Sequence, residues 1–155
     1  MKYLFALVVV LLFVLFVINA ANAQEPAFLN QTTVWLNILR EEYQLQPIYS
    51  ERTLGILAKK YLSLMVNHGE ASHDLWDDLS FNLIAMKIGL AYPHVGELLQ
   101  TGPKDSLKAL TVIQLFNESD DHRRHIISKN AHAFGLAFTF TDTQYFLVLY
   151  IGYQE

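Results

Sequence analysis

The chain has no cysteine. That excludes a thiol nucleophile and a disulfide framework. Basic residues are also scarce, 11 Lys and Arg against 15 Asp and Glu, for a net charge of −4. A nucleic-acid binder needs a basic surface to neutralise phosphates, so that class is excluded. A peripheral protein held on anionic lipid by charge is excluded for the same reason. With 4 prolines and 7 glycines in 155 residues, there is no low-complexity segment and no internal repeat. Several catalytic signatures are absent as well. There is no G-x-S-x-G, H-E-x-x-H, phosphate-binding P-loop or G-x-G-x-x-G.

The first feature present is a leader. Residues 1–23 hold 20 apolar residues and one charge, Lys2. The run Tyr3–Ile18 is followed by Ala21-Asn22-Ala23, a small-x-small cleavage signal. A signal peptide over 1–23, cleaved before Gln24, is therefore expected; a retained N-terminal anchor is the alternative, because 16 residues fall between the two lengths. No second span follows. Export without cysteine favours a bacterial secreted, periplasmic or cell-surface protein that stands on its core alone. The sequons at Asn30 and Asn117 would matter only in a eukaryotic secretory pathway.

The rest reads as one domain. Residues 24–33 are expected to be a short tether and helix start, and 34–155 the domain. Leu29, Thr32, Leu36, Leu39 and Tyr43 recur at helical spacing, predicting a helix over 29–45 that Pro47 ends. Ser50 is the expected N-cap of the next helix, where Leu54, Leu57, Ala58, Tyr61, Leu64 and Met65 form one apolar stripe closed at Asn67-His68-Gly69. Further helices are expected at 77–88, 104–117 and, capped by Ser119, 120–128. His94–Leu99 reads as a short strand or extended loop, and Thr101-Gly102-Pro103 as a turn. The tail changes period. Phe134, Leu136, Phe138 and Phe140 alternate, and Tyr145–Ile151 is continuously apolar, so that last strand should be buried on both faces. A strand of that kind needs helices on both sides. The expected fold is α+β, a three-layer α-β-α sandwich around a small antiparallel sheet.

Chemistry rests on histidine and carboxylate. The candidate positions are His73, Glu97 and His122, each beside turn residues. Imidazole and carboxylate together suit a divalent metal such as Zn²⁺. These residues lie 24 and 25 positions apart, so only the fold can bring them together. Ser72 beside His73 and Ser119 near His122 are the hydroxyls a base could activate. His125 lies three after His122 and reads as a surface residue; His68, His94 and His132 read as structural or exposed. Asp74, Asp77 and Asp78 lack the ordered spacing of a calcium loop and read as a solvated acidic segment.

In order, these motifs resemble the CAP superfamily, also called the SCP domain. The N-x-x-R helix is Asn37-Ile38-Leu39-Arg40, and the loop with Pro is Gln46-Pro47-Ile48. A helix with Ala58 and Tyr61 follows, then Ser72-His73. The G-E-N motif is Gly96-Glu97-Leu98, and W-x-x-S-x-x-H-R is Phe116 to Arg123. Phe134-Gly135-Leu136 and Tyr145–Val148 match the closing strands. The asparagine of G-E-N is replaced by Leu98 and the tryptophan by Phe116. The resemblance implies an α-β-α sandwich with a cleft lined by His73, Glu97 and His122, which in some members holds a metal; where some members set a second glutamate this chain has Ser119, with Glu118 one residue off, and these two are lesser candidates. It implies an extracytoplasmic module binding a lipid, an envelope component or a protein partner. The alternatives are a metal-assisted hydrolase using the same cleft, or a structural envelope protein with an inert one. Asn37 and Arg40 read as framework residues tying helix to loop.

Overall fold

The computed structural model describes residues 25–154; the leader and its cleavage signal lie outside them. Helix α1 spans 25–42. Strand β1 is Tyr49–Ser50, α2 Arg52–His68 and α3 Asp78–Ile88. Strand β2, His94–Pro103, leads through a 3₁₀ turn at Lys104–Ser106 into α4, Ala109–Glu118, and α5, Asp120–Ile126. A hairpin closes the chain, β3 Ala131–Phe140 and β4 Gln144–Tyr153.

The four strands form one sheet in the order β1-β3-β4-β2. Strands β2, β3 and β4 are antiparallel, as expected. The sheet is mixed all the same, because β1 pairs parallel to β3 through Tyr49 and Ser50. Strand β4 is central and its side chains alternate between two cores. Tyr145, Leu147, Leu149 and Ile151 join Leu36 and Leu39 of α1 and Val112, Ile113 and Phe116 of α4. Phe146, Val148 and Tyr150 join Leu54, Leu57, Tyr61 and Met65 of α2. Each face of the sheet is thus covered by helices. This is the three-layer α-β-α sandwich that a doubly buried strand requires.

Element boundaries differ from expectation where tertiary contact or turn chemistry overrides periodicity. Residues read as a tether are helical from 25, because Phe28 and Leu29 reach the core and the Phe28 ring lies 4.6 Å from that of Phe138. The helix stops at 42 rather than 45. Gln44 turns the chain there in the left-handed region, φ 58°, and the Tyr43 and Leu45 N–H groups both donate to the Arg40 carbonyl. Ser50 does not cap α2, since it is drawn into the β1 bridge. Glu51 caps instead, its carboxylate accepting from the Leu54 N–H at 2.9 Å and from the Thr53 hydroxyl at 2.5 Å. The turn expected at Thr101–Pro103 is strand, paired with Tyr145 and Phe146. Gly102 serves close approach rather than turning, as a Cβ there would collide with the Tyr145 ring. The helix expected over 104–117 starts only at Ala109, because Leu107 and Lys108 are extended.

Asn37 and Arg40 fix α1 to two loops. The Asn37 side chain pairs both backbone groups of Ile48, at 2.8 and 2.9 Å. Arg40 is buried and donates to the carbonyls of Gln46, Ile126 and Ser128. The last two contacts set the end of α5, and with it the helix that carries His122 and His125.

Candidate functional site

His73, Glu97 and His122 line one cleft of about 410 Å³. The cleft straddles β2, the open edge of the sheet. Glu97 sits on the α2 side of that strand, opposite Tyr150 of β4, whose ring belongs to the α2 core. Gly96 is the strand's preceding residue, so it presents to the other side, where α5 lies.

His73 comes from the loop between α2 and α3. That loop is tied down by the Tyr61 hydroxyl, which donates to the Ser72 carbonyl at 2.5 Å. The His73 Nδ1 meets Glu97 Oε1 at 2.8 Å, and the Tyr150 hydroxyl donates to Glu97 Oε2 at 2.5 Å. Both carboxylate oxygens are therefore engaged. Burial pushes the Glu97 carboxyl above its ordinary value, against the pull of the Tyr150 and His73 hydrogen bonds. The Tyr150 hydroxyl is raised far more, first by burial and then by the Glu97 charge. It stays protonated and serves as a donor.

His122 stands on α5 with its ring edge-on to Phe116, centroids 5.1 Å apart. Phe116 thus keeps the aromatic anchor that tryptophan gives in the resembled motif. Burial lowers the His122 pKa, helped by the nearby His73. Leu98, where that motif carries asparagine, is fully buried in the core on the α5 side.

The lesser candidates fall elsewhere. Glu118 ends α4, exposed and away from the cleft lining. The Ser119 hydroxyl caps α5, accepting from the His122 N–H at 3.5 Å. The Ser72 hydroxyl accepts from the Asp74 N–H. Neither hydroxyl meets a histidine ring among the described hydrogen bonds. Asp77 caps α3 through the Ser80 N–H at 2.6 Å.

His125 is not a free surface residue. It is half-buried and lines the cleft, its Nδ1 2.5 Å from the Tyr153 hydroxyl. A Cβ on Gly96 would collide with both groups, so this glycine makes the room they occupy. Burial comes first in lowering the His125 pKa, with the charges of Arg124 and His122 adding to it. Arg124 and Asp121 complete the rim and pair with each other at 3.2 Å. The signals in the sequence were the i, i+3 spacing of His122 and His125 and a glycine inside a strand. Tyr150 and Tyr153 left no polar signal, as both lie within an aromatic run.

The donor set tests the expected metal. A metal-ligating histidine commonly gives its other ring N–H to a carboxylate, as His73 can give Nδ1–H to Glu97. His73 and His122 line the same cleft, and imidazole is a donor that suits a divalent ion. Glu97 has one hydrogen bond on each oxygen, to His73 and Tyr150, and each oxygen keeps a second lone pair. Among the described residues, no three His, Asp or Glu side chains are grouped to hold a metal.

No protein-family model matches the sequence, and no curated protein sequence does. Solved structures do match the fold. An extracellular protein containing an SCP domain from Bacillus anthracis aligns with TM-score 0.66 at 16% identity, over 83% of this chain and 41% of that one. An outer surface protein from Borrelia burgdorferi aligns with TM-score 0.62 at 17% identity, over 81% of this chain and 94% of that one. A cysteine-rich secretory protein from Staphylococcus aureus aligns with TM-score 0.59 at 16% identity, over 81% and 38%. The chain thus spans less than half the length of the Bacillus and Staphylococcus proteins. It has the SCP, or CAP-like, fold that its motifs resemble. No helix among the described residues is long and apolar enough to cross a membrane.

Proposed function

We propose that this SCP-type domain is an extracytoplasmic binding module whose ligand surface is the His73–Glu97–His122 cleft. One observation carries the reading. Residues 24 and 25 positions apart in sequence line one cleft, and the central carboxylate is held from behind by Tyr150 at 2.5 Å. A carboxylate buried at the cost of a raised pKa, and aimed at a half-exposed histidine, is a feature of binding and catalytic sites more than of framework. The leader supports export, and the extracellular and outer-surface neighbours support the same location.

The imidazoles of His73 and His122 would hold a divalent ion such as Zn²⁺, with Glu97 fixing the His73 ring. The ion would supply a Lewis-acid contact to a ligand oxygen. The protein's own part is to orient His73, to keep His122 neutral by burial, and to present both on the edge of a rigid sheet. A metal-assisted hydrolase using the same cleft, with His73, His122 and Glu97 holding or activating a water, is the alternative reading. The ligand's source is a lipid, an envelope component or a partner protein.

Zinc titration calorimetry tests the metal, run on the purified protein and on the His73→Ala/His122→Ala double variant. Micromolar or tighter binding that the double variant loses is the expected result. No binding, or binding equal in the two, overturns it.

A further inference from the structure

Two histidines on the cleft wall have their Nδ1 atoms held by different partners. His73 faces a carboxylate, which can only accept, so its Nδ1 carries the proton and its Nε2 is left as an acceptor. His125 faces the Tyr153 hydroxyl at 2.5 Å. That hydroxyl can donate to Nδ1 or accept from it, and the histidine tautomer decides which. Burial pushes the hydroxyl up to about 12, so it remains protonated at neutral pH. With Tyr153 donating to Nδ1, the His125 ring carries its own proton on Nε2. The two rings are then complementary, one offering a lone pair and the other an N–H.

We infer that His125 and Arg124 form an oxyanion-recognition wall of the cleft, and that the module's ligand presents a phosphate or carboxylate group there. Arg124 lends one nitrogen to Asp121 and keeps its other N–H donors. The pairing offsets the charge of Asp121, one of the two cleft carboxylates; the other, Glu97, is held by His73 and Tyr150 on the α2 side of β2. Gly96 supplies the third observation, since any side chain there would expel the His125–Tyr153 pair. A direct ligand role for His125 toward a metal is disfavoured by the same tautomer. This agrees with the lack of a three-ligand group among the described residues.

The inference rests on the cleft being the ligand surface, but not on a metal. Long-range ¹H–¹⁵N correlation spectra of the zinc-free protein report the tautomer of each histidine. His125 is expected as the Nε2–H form and His73 as the Nδ1–H form. Titration with inorganic phosphate, and separately with acetate, should shift the His125 resonances saturably. The tighter of the two identifies which oxyanion the wall prefers. His125→Ala and Arg124→Ala should each weaken binding roughly tenfold, as loss of a hydrogen bond to a charged group does. Tyr153→Phe should weaken it less and release the tautomer, a change a merely structural tyrosine would not produce. His68→Ala, outside the cleft lining, should leave it intact. An Nδ1–H tautomer at His125, or no saturable shift, or shifts unaltered in both alanine variants, overturns the inference. Zinc binding without any oxyanion response sinks this inference alone; an oxyanion response without zinc binding sinks the metal reading alone.

Discussion

Glu97 and Tyr150 stand directly opposite each other on β2 and β4, and the tyrosine hydroxyl donates to the carboxylate at 2.5 Å. The pair joins the edge of the sheet to its buried centre. Tyr150→Phe removes the donor and leaves a half-satisfied carboxylate in a mostly buried position. Stability at neutral pH should fall by about 1–3 kcal/mol, the cost of an unsatisfied buried polar group. Urea unfolding of the two proteins measures it, and an unchanged midpoint refutes the role given to Tyr150.

The raised Glu97 pKa carries a sign. The folded protein holds this proton more tightly than the unfolded chain, whose carboxyl titrates near 4.5. Stability from this group therefore declines as pH rises from the unfolded value through the folded one. Glu97→Gln abolishes that decline, so its stability relative to the parent should increase with pH across the window. A parallel pair of stability curves would show that Glu97 does not titrate as the geometry requires.

The imidazoles on α5 act in the opposite sense. Both His122 and His125 are lowered below the ordinary 6.5, chiefly by burial. The folded state binds fewer protons than the unfolded one just below that value, so stability is lost as pH falls through 6.5. As pH falls through 6.5, the parent should lose stability relative to a His122→Gln/His125→Gln variant. Thermal melts on either side of that pH decide it. Equal losses would mean the two rings are solvated.

The architecture was legible because it depends on patterns that burial imposes. The Tyr145–Ile151 run announced a strand between two cores, and the α2 stripe is the helix that covers one of them. The cleft was legible only in part. His73, Glu97 and His122 were each recognisable beside turn residues, but residues this far apart become a site only through the β2–β4 register and the docking of α5. Tyr150 and Tyr153 were hidden because a tyrosine in an apolar strand looks like core until its hydroxyl has a partner. His125 was hidden because i, i+3 spacing says which residues share a helix face and not what that face meets. Helix ends were misplaced wherever one residue had two uses. Ser50 could cap a helix or bridge a strand, and Gly102 could turn a chain or admit a ring.

Arg40 holds the frame on which α5 sits. It is buried without a carboxylate and satisfied by three carbonyls from two separate loops. Arg40→Lys keeps the charge but cannot reproduce the planar fork that serves all three acceptors. A loss of roughly 2–4 kcal/mol is expected for Arg40→Met and a smaller one for Arg40→Lys, as for a broken buried network. Denaturant midpoints give the ranking, and a neutral Arg40→Met would remove Arg40 from the framework.

Gly135 and Gly55 offer a matched pair with opposite outcomes. A Cβ on Gly135 of β3 would strike the backbone of Leu54 and Gly55, where α2 crosses the sheet. Backbone cannot rotate aside, so Gly135→Ala must push the helix outward, away from Leu57 and Tyr61's shared core. A cost of about 1–3 kcal/mol or more is expected, together with weakened anchoring of the His73 loop through Tyr61. Gly55 sits inside α2 with nothing within 4 Å of where its Cβ would lie. There an alanine gains helix propensity at no steric cost, and Gly55→Ala should stabilise by about 0.5–1 kcal/mol. Thermal midpoints moving in opposite directions would confirm that the two glycines, though neighbours in space, are retained for different reasons. A destabilised Gly55→Ala would show that the helix needs flexibility where it meets β3.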